Sequence, residues 1–257
     1  MKLARIHGPG DVRLDEVPEP IAGPDDVILE VGACGICGSD VGYAKIGGAQ
    51  GPSPEPMAIG HELAGRVCFV GANCDDVAKI GDRVALHPGA AGFGLGNGGP
   101  EGGFTPRLLV RGAAQDKSLF AIPDDMSFEF AALAEPLGVG MHAVDQAEVR
   151  AGDKVAVLGA GPIGLSAIAT LADRGIEDIV SIDLSQTRLE VARKMKQDLR
   201  CRCSRAWQMR HTWGGRRRRS SRDQVLQRIV KEGGTRFLLR IPFSSLPGRT
   251  WREDLKK

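Results

Sequence analysis

The sequence predicts an α/β plus all-β fold: a small antiparallel barrel or sandwich, then the start of a doubly wound parallel sheet, then a basic tail. Seven short apolar segments separated by glycine and proline fill the first 125 residues, a spacing typical of all-β domains. A strand, a glycine turn and a helix follow from residue 154. The charge then reverses: residues 1–196 carry 17 Lys and Arg against 27 Asp and Glu, and residues 197–257 carry 17 against 5.

The elements of the first part follow from apolar alternation and turn residues. The predicted strands are 3–7, 12–17, 27–33, 65–70, 83–87, 105–110 and 119–122. One helix is predicted to interrupt them after Ser39. Residues 127–146 have helical periodicity, with a kink or break expected at Pro136 and the two glycines behind it.

The second part predicts strand 154–158, helix 162–173, strand 179–182 and helix 185–195, with Ser185 as an N-cap. This is the opening of a doubly wound sheet. Residues 196–257 offer no Val- and Ile-rich segment of the kind that a parallel sheet buries on both faces. We therefore expect the sheet to stop there and the tail to be largely disordered.

Composition narrows the class of protein. The 257 residues can bury one large core or two moderate ones, and no apolar run is long enough to cross a bilayer. The N-terminus lacks the apolar region of a signal peptide, so we expect a cytoplasmic protein. The six cysteines show no disulfide framework, which favours metal or catalytic roles.

Cys37, His61 and Glu62 supply a thiolate, an imidazole and a carboxylate from separate segments, a donor set that suits an open zinc site. Cys37 also fits a core cysteine, or a redox or structural-zinc pair with Cys34. A redox role lacks the thioredoxin pattern, and a four-cysteine site lacks a second pair. Cys34 ends a predicted strand and is expected to be packed.

Two acidic residues bear on the same site. Asp40 lies close to the thiolate in sequence, and a metal-bound imidazole such as that of His61 needs a carboxylate on its other nitrogen. Without a metal, His61 fits a hydrogen-bonded structural histidine. Glu135 lies within an apolar stretch, which is costly unless it is paired, protonated or metal-bound; the alternative is a partly solvated helix end.

The glycine turn predicts a dinucleotide site. Gly159, Gly161 and Gly164 follow an apolar strand and open a helix, and Asp183 ends the next strand 24 residues after Gly159. A carboxylate there binds an adenosine ribose and repels a 2′-phosphate, which favours NAD over NADP. Arg188, on the following helix, is expected on the solvated face or over the adenine.

The basic tail predicts no specific nucleic-acid partner. Clustered arginines give salt-dependent affinity for phosphates, but no recognised nucleic-acid module surrounds them and the tryptophans have no regular spacing. We expect neither a specific nucleic acid nor a membrane as partner.

Together these motifs resemble those of the zinc-dependent medium-chain dehydrogenase/reductase family, from Lys2 to about Met195. The motifs are Gly32-Ala-Cys-Gly-Ile-Cys37-Gly-Ser-Asp40, Gly60-His-Glu62, Gly81-Asp-Arg-Val84, Ala134-Glu-Pro-Leu137 and Gly159-Ala-Gly161-Pro162-Ile163-Gly164. The resemblance implies a GroES-like barrel and a Rossmann domain, with the active site in the cleft between them. The acidic residue at this place, Glu135, resembles the pattern of the branch that contains the sorbitol, xylitol, butanediol, idonate and threonine dehydrogenases.

The resemblance also implies roles for residues. Cys37, His61 and Glu62 would hold zinc, and Glu135 would be an alternate or fourth ligand. Ser39 would take the alcohol proton, and Asp40 would orient His61. Zinc would act as a Lewis acid while hydride passes to NAD. The implied substrate is a small alcohol or polyol, oxidised at a secondary hydroxyl of a polyol, diol or sugar acid.

Three departures from the family pattern carry expectations of their own. The cysteine-rich loop of a structural zinc is absent between His87 and Arg111, so we expect one catalytic zinc and no structural one. Gly42 replaces a relay histidine, so the proton would leave through Tyr43, the cofactor ribose or water. The resemblance ends near Met195, and the Arg, Ser, Cys and Trp bias that follows is typical of a truncated or frameshifted chain.

The expected domains are therefore a GroES-like zinc-binding domain at 1–150, a partial Rossmann domain at 151–196 and a basic, non-homologous tail at 197–257. Such a chain would lack the nicotinamide half of its cofactor site, which bears on its activity. Relatives form homo-oligomers through Rossmann edges that this sequence lacks. The alternative function is a non-catalytic zinc-binding remnant whose tail binds polyanions.

Overall fold

The structure, a computed structural model, describes residues 1–89, 94–198, 205–208 and 235–238. Its residues cluster into two compact units, of which one contains Met1–Glu135 and the other begins at Pro136. The predicted domain boundaries at 150 and 196 stay predictions.

Antiparallel strands make up most of the first unit. Its elements are β1 (Lys2–Gly8), β2 (Asp11–Glu16), β3 (Val27–Gly35), α1 (Gly38–Ile46), β4 (Met57–Ala58), β5 (Glu62–Val70), β6 (Arg83–Leu86), β7 (Arg107–Val110), β8 (Leu119–Ala121) and α2 (Phe128–Ala131). The strands form a five-stranded sheet of order β7-β3-β5-β6-β8 and a three-stranded sheet of order β2-β1-β4. The seven predicted strands and the helix after Ser39 are confirmed.

The core of this unit is aliphatic and lies on the larger sheet. Val27 and Leu29 of β3 pack with Leu63 and Val67 of β5, and all four are almost fully buried. Burying side chains of this size stabilises a fold by roughly 1.5–3 kcal/mol each. This core fixes the two strands whose ends carry the site described below.

The helical region 127–146 is broken earlier than the sequence predicts. Helix α2 ends at Ala131 and helix α3 (Ala134–Gln146) begins three residues later. The expected break at Pro136 is wrong because Pro136 lies in the first turn of α3. A proline costs little there, since the N–H groups of a first turn have no partner within the helix.

Parallel strands and helices form the second unit. It contains β9 (Lys154–Leu158), α4 (Pro162–Asp173), β10 (Asp178–Asp183), α5 (Gln186–Asp198), β11 (Arg205–Gln208) and β12 (Thr235–Leu238). The strand order is β11-β10-β9-β12, with all pairs parallel. Its core joins Val155 and Val157 of β9 with Ile168 and Leu171 of α4 and Leu189 of α5. The four elements predicted between 154 and 195 are confirmed.

Two sequence predictions about strands need correction. Strand β4 was not predicted because two residues are too short for an alternating pattern. The prediction that no strand follows Met195 is wrong for β11 and β12, which pair with β10 and β9. Strand pairing uses backbone groups that every residue type except proline carries in full, so it does not require a Val- and Ile-rich segment. The rest of the tail, with its predicted disorder, lies outside the described residues.

Within the part of the chain that the structure describes, no helix combines the length and the apolar character needed to span a bilayer.

Candidate metal centre and dinucleotide turn

Cys37 is held at the N-cap of α1 by a reciprocal capping box. The backbone N–H of Cys37 donates to Oδ2 of Asp40 at 2.8 Å, and the Cys37 side chain receives the backbone N–H of Asp40. The sulfur of cysteine is a soft donor, the kind of ligand that zinc favours. The local sequence therefore fixes the sulfur and disposes it to act as a metal ligand.

His61 lies directly before β5 and is buried. Its Nδ1 is 3.5 Å from Oδ1 of Asp40 but makes no hydrogen bond of acceptable geometry. Its Nε2 is 3.5 Å from the Oγ of Ser39. Asp40 also accepts the backbone N–H of Gly60 at 3.4 Å, so one carboxylate contacts both segments that carry the site.

Glu62 is buried at the start of β5, where it pairs in register with Gly35 of β3. A Cβ added at Gly35 would lie 2.5 Å from Oε2 of Glu62. The absence of a side chain at residue 35 therefore makes room for the carboxylate.

Cys37, His61 and Glu62 each offer a ligand atom, and these atoms all lie within 4.8 Å of one another. Zinc bond lengths of roughly 2.0–2.3 Å require ligand atoms about 3.3–3.8 Å apart, so a movement of roughly 1 Å would close the set. The donor chemistry of this set, a thiolate, an imidazole and a carboxylate, fits zinc. Cys34 packs against the core, as predicted.

The electrostatics of the site favour a cation. Burial by itself lowers the pKa of His61, but the polar contacts and negative charges of Asp40 and Cys37 outweigh burial and raise it to about 10. The field of these groups favours positive charge at this place, and zinc on binding would replace the proton of the imidazole. A bound metal ion would satisfy the same field.

Glu135 is half-buried in the first turn of α3 and belongs electrostatically to the same site. The pKa of Glu135 is raised, chiefly by burial. The negative charges of Glu62 and Asp40 add to this shift, and His61 and His87 oppose it. Its carboxyl group is not among the ligand atoms that lie within 4.8 Å of one another. Its role as a fourth ligand stays a prediction.

Tyr43, in the second half of α1, donates its hydroxyl to Oδ1 of Asn97 at 3.2 Å. Burial, followed by the negative charges of Cys37 and Asp40, raises the pKa of Tyr43, and the hydroxyl of Ser39 opposes this shift. Tyr43 therefore lies within the influence of the metal-centre residues. No pattern in the sequence marks Asn97, because an asparagine among glycines is typical of an ordinary turn.

The glycine turn in the second unit leads into a helix whose N-terminus has no side-chain cap. Gly159 adopts φ +98°, and its N–H donates to the carbonyl of Ile182 at 2.7 Å. A Cβ at Gly164 would overlap the carbonyl oxygen of Gly159. Gly161 is the N-cap of α4 and Pro162 follows within its first turn, with no side chain capping the helix. The first N–H groups of α4, including that of Ile163, thus have no capping side chain and could bind an anion.

Asp183 is buried at the end of β10, beside this turn. Its carboxylate accepts the backbone N–H of Ala160 and of Ser185, each at 2.7 Å. Arg188 lies on exposed helix surface with its Nη1 3.9 Å from Oδ2 of Asp183. The structure therefore places both predicted residues at the turn, with Asp183 also organising the backbone of the turn. Ser185 accepts the N–H of Arg188 at 3.4 Å, which confirms it as an N-cap.

Comparison with known proteins matches this chain to dehydrogenases. The family model described as "Alcohol dehydrogenase GroES-like domain" matches residues 23–124. The chain is 37% identical over 218 residues to (R,R)-butanediol dehydrogenase of Bacillus subtilis (strain 168), covering 76% of this chain and 61% of that protein. It is 40% identical over 211 residues to sorbitol dehydrogenase of Homo sapiens, covering 76% of this chain and 58% of that protein.

A solved structure gives the same result. The crystal structure of 2R,3R-butanediol dehydrogenase from Bacillus subtilis superimposes with a TM-score of 0.68 and 30% identity, covering 88% of this chain and 67% of that one. The chain spans about three fifths of the length of the curated relatives it matches.

Proposed function

Because this chain belongs to the zinc-dependent medium-chain dehydrogenase/reductase family, we propose that it is a zinc- and NAD-dependent dehydrogenase that oxidises a secondary hydroxyl group of a polyol, diol or sugar acid. The observation that carries the proposal is the convergence of Cys37, His61 and Glu62 to within 4.8 Å. The names of the relatives, which include sorbitol and butanediol dehydrogenases, support the substrate class.

The residues of the centre have distinct tasks in this proposal. Cys37, His61 and Glu62 hold zinc, and Asp40 holds the first two of them in place through its contacts with α1 and with the segment before β5. Ser39, beside the imidazole, accepts the substrate proton. When bound, zinc supplies Lewis acidity toward the substrate oxygen and NAD supplies the hydride acceptor.

The second unit binds the cofactor in this proposal. The N–H groups at the start of α4 receive the pyrophosphate, because no side chain caps them. Asp183 accepts a ribose hydroxyl and disfavours a 2′-phosphate, although Arg188 lies near enough to reduce that repulsion. The cytoplasmic location, the oligomeric state and the absence of a structural zinc stay predictions.

Metal analysis of the purified full-length chain tests the centre. We expect about one zinc per chain in the parent protein, from the three-ligand set. Cys37→Ser should remove most of it, whereas Cys68→Ser, at a second half-buried cysteine outside the group, should not. Equal zinc content in the two variants would overturn the assignment of Cys37.

Cofactor binding and turnover test the remainder. NADH fluorescence titration should show binding to the parent chain and to Gly138→Ala, a helical glycine with free space around it. Gly164→Ala should lose binding, because its Cβ overlaps Gly159. NADH production with zinc from sorbitol, xylitol, idonate or butanediol identifies the substrate; zinc and NADH binding without turnover on any of them would refute the proposed reaction.

A further inference from the structure

Tyr43 and Asn97 form a polar pair across 54 residues of sequence. The phenol donates to Oδ1 of Asn97 at 3.2 Å, and Nδ2 of Asn97 donates to the carbonyl of Leu95 at 3.4 Å. Both ends of the amide are therefore used, and the amide presents its acceptor end to the phenol.

The backbone of Asn97 is positioned against the segment that carries the metal centre. Its N–H donates to the carbonyl of Gly94 at 2.7 Å, and the residue forms a β-bridge with Ile59. A Cβ at Gly96 would overlap the carbonyl oxygen of Gly60, so the two backbones are in direct contact. Gly60 immediately precedes His61, which ties the position of the amide to that of the imidazole.

Tyr43 and Ser39 are four residues apart on α1, so their side chains lie on the same face of this helix. The charges of Cys37 and Asp40 act on the phenolic oxygen of Tyr43. The Ser39 hydroxyl, one helical turn earlier on the same face, lowers the pKa of Tyr43, against the larger effect of burial. A phenol has one proton to donate and a pair of acceptor sites. With the proton directed to Asn97, the acceptor sites are free to face Ser39.

We propose that Asn97 is a positioning residue for the dehydrogenase reaction: it takes the hydrogen bond of the Tyr43 hydroxyl, so that the phenolic oxygen is held as an acceptor for the hydroxyl of Ser39. The inference rests on the proposed function. The phenolic oxygen of Tyr43 then gives the metal centre a hydrogen-bond acceptor beyond Ser39. Gly42, the residue before Tyr43, has no side chain that could serve as one.

The experiment uses the fact that Tyr43 is the only tyrosine in the chain. The full-length protein is produced with 3-fluorotyrosine, whose phenol titrates at lower pH than that of tyrosine, and the single ¹⁹F resonance is followed against pH without added zinc. Asn97→Ala replaces the amide acceptor by solvent at this exposed place, so the pKa of the phenol should fall. Asn97→Asp puts a negative charge at the same place, so the pKa should rise above that of the parent.

Asn73→Ala is the matched control, since Asn73 is the other asparagine of the chain and bonds to Asp25 on the surface. It should leave the titration of Tyr43 unchanged. Shifts of the same sign in the alanine and aspartate variants of Asn97, or no shift in either, would overturn the proposal. This readout needs neither zinc nor turnover, so it is separate from failure of the proposed function. If turnover is found, Asn97→Ala should lower kcat with little change in KM, and an unchanged kcat would also overturn the proposal.

Discussion

Replacing Arg83 with alanine should loosen helix α2, because one guanidinium group holds the segment that leads into it. Arg83 donates to the carbonyls of Pro123, Asp124 and Met126. The same group lies over the ring of Phe128, the first residue of α2, at 4.6 Å from the ring centroid. The removal of one side chain therefore releases three backbone contacts and one ring contact.

The magnitude follows from these contacts. Three hydrogen bonds contribute about 1 kcal/mol each, and an exposed cation–π contact contributes about 0.5–1 kcal/mol. Solvent access to the carbonyls reduces the total, and we expect a local loss of about 2–3 kcal/mol. Arg66, the cross-strand partner of Arg83, makes one exposed hydrogen bond, to the carbonyl of Gly81. Arg66→Ala should therefore cost less than about 0.5 kcal/mol.

Hydrogen–deuterium exchange measures this locally, without assuming that the two units unfold together. The amides of Ala131 and Ala132 donate to Ser127 and Phe128 within the α2 turn. Exchange in this peptide should be about 30- to 140-fold faster in Arg83→Ala, since 1.4 kcal/mol corresponds to a factor of ten. Similar exchange in the Arg83 and Arg66 variants would refute the reasoning.

Two further predictions concern the metal centre. Gly35→Ala should weaken zinc binding about 10- to 100-fold, because the added Cβ displaces Glu62. Gly38→Ala is the control and should leave the affinity unchanged, since its Cβ meets open space. Competition with a chelating dye measures both affinities, and equal values would contradict the packing argument. Burial, then the charges of nearby acids, raises the pKa of Cys34 to about 12, so at pH 8 it is almost entirely a thiol. Iodoacetamide should therefore label Cys37 before Cys34 in zinc-free protein, as read by peptide mass spectrometry, and the reverse order would show that Cys34 is not packed.

Local patterns were sufficient for much of the fold. Alternating apolar residues predict the seven strands of the first unit, and an apolar strand followed by glycines predicts the turn before α4. Both signals depend on neighbours in sequence: alternation decides which side of a strand is buried, and glycine permits the φ of +98° at Gly159. The donor set of Cys37, His61 and Glu62 could also be predicted, because thiolate, imidazole and carboxylate groups are ligands that zinc prefers.

Other features depend on partners distant in sequence, and only the tertiary structure decides them. Gly32 belongs to a motif in the sequence, but only the structure shows why glycine is needed there: a Cβ would overlap the ring of Phe128. Asn97 has no local signal, and its role depends on Tyr43 across 54 residues. The carbonyls that bind Arg83 lie about 40 residues away.

The sequence by itself thus determined which residue types could bind a metal and a dinucleotide, and most of the segments that are strands and helices. The tertiary structure decided which atoms meet: Asp40 with two segments of the centre, Glu62 over Gly35, and Tyr43 with Asn97. The physical reason is that propensity and periodicity act through neighbouring residues, whereas contacts between distant segments depend on strand register and on the space that each side chain leaves.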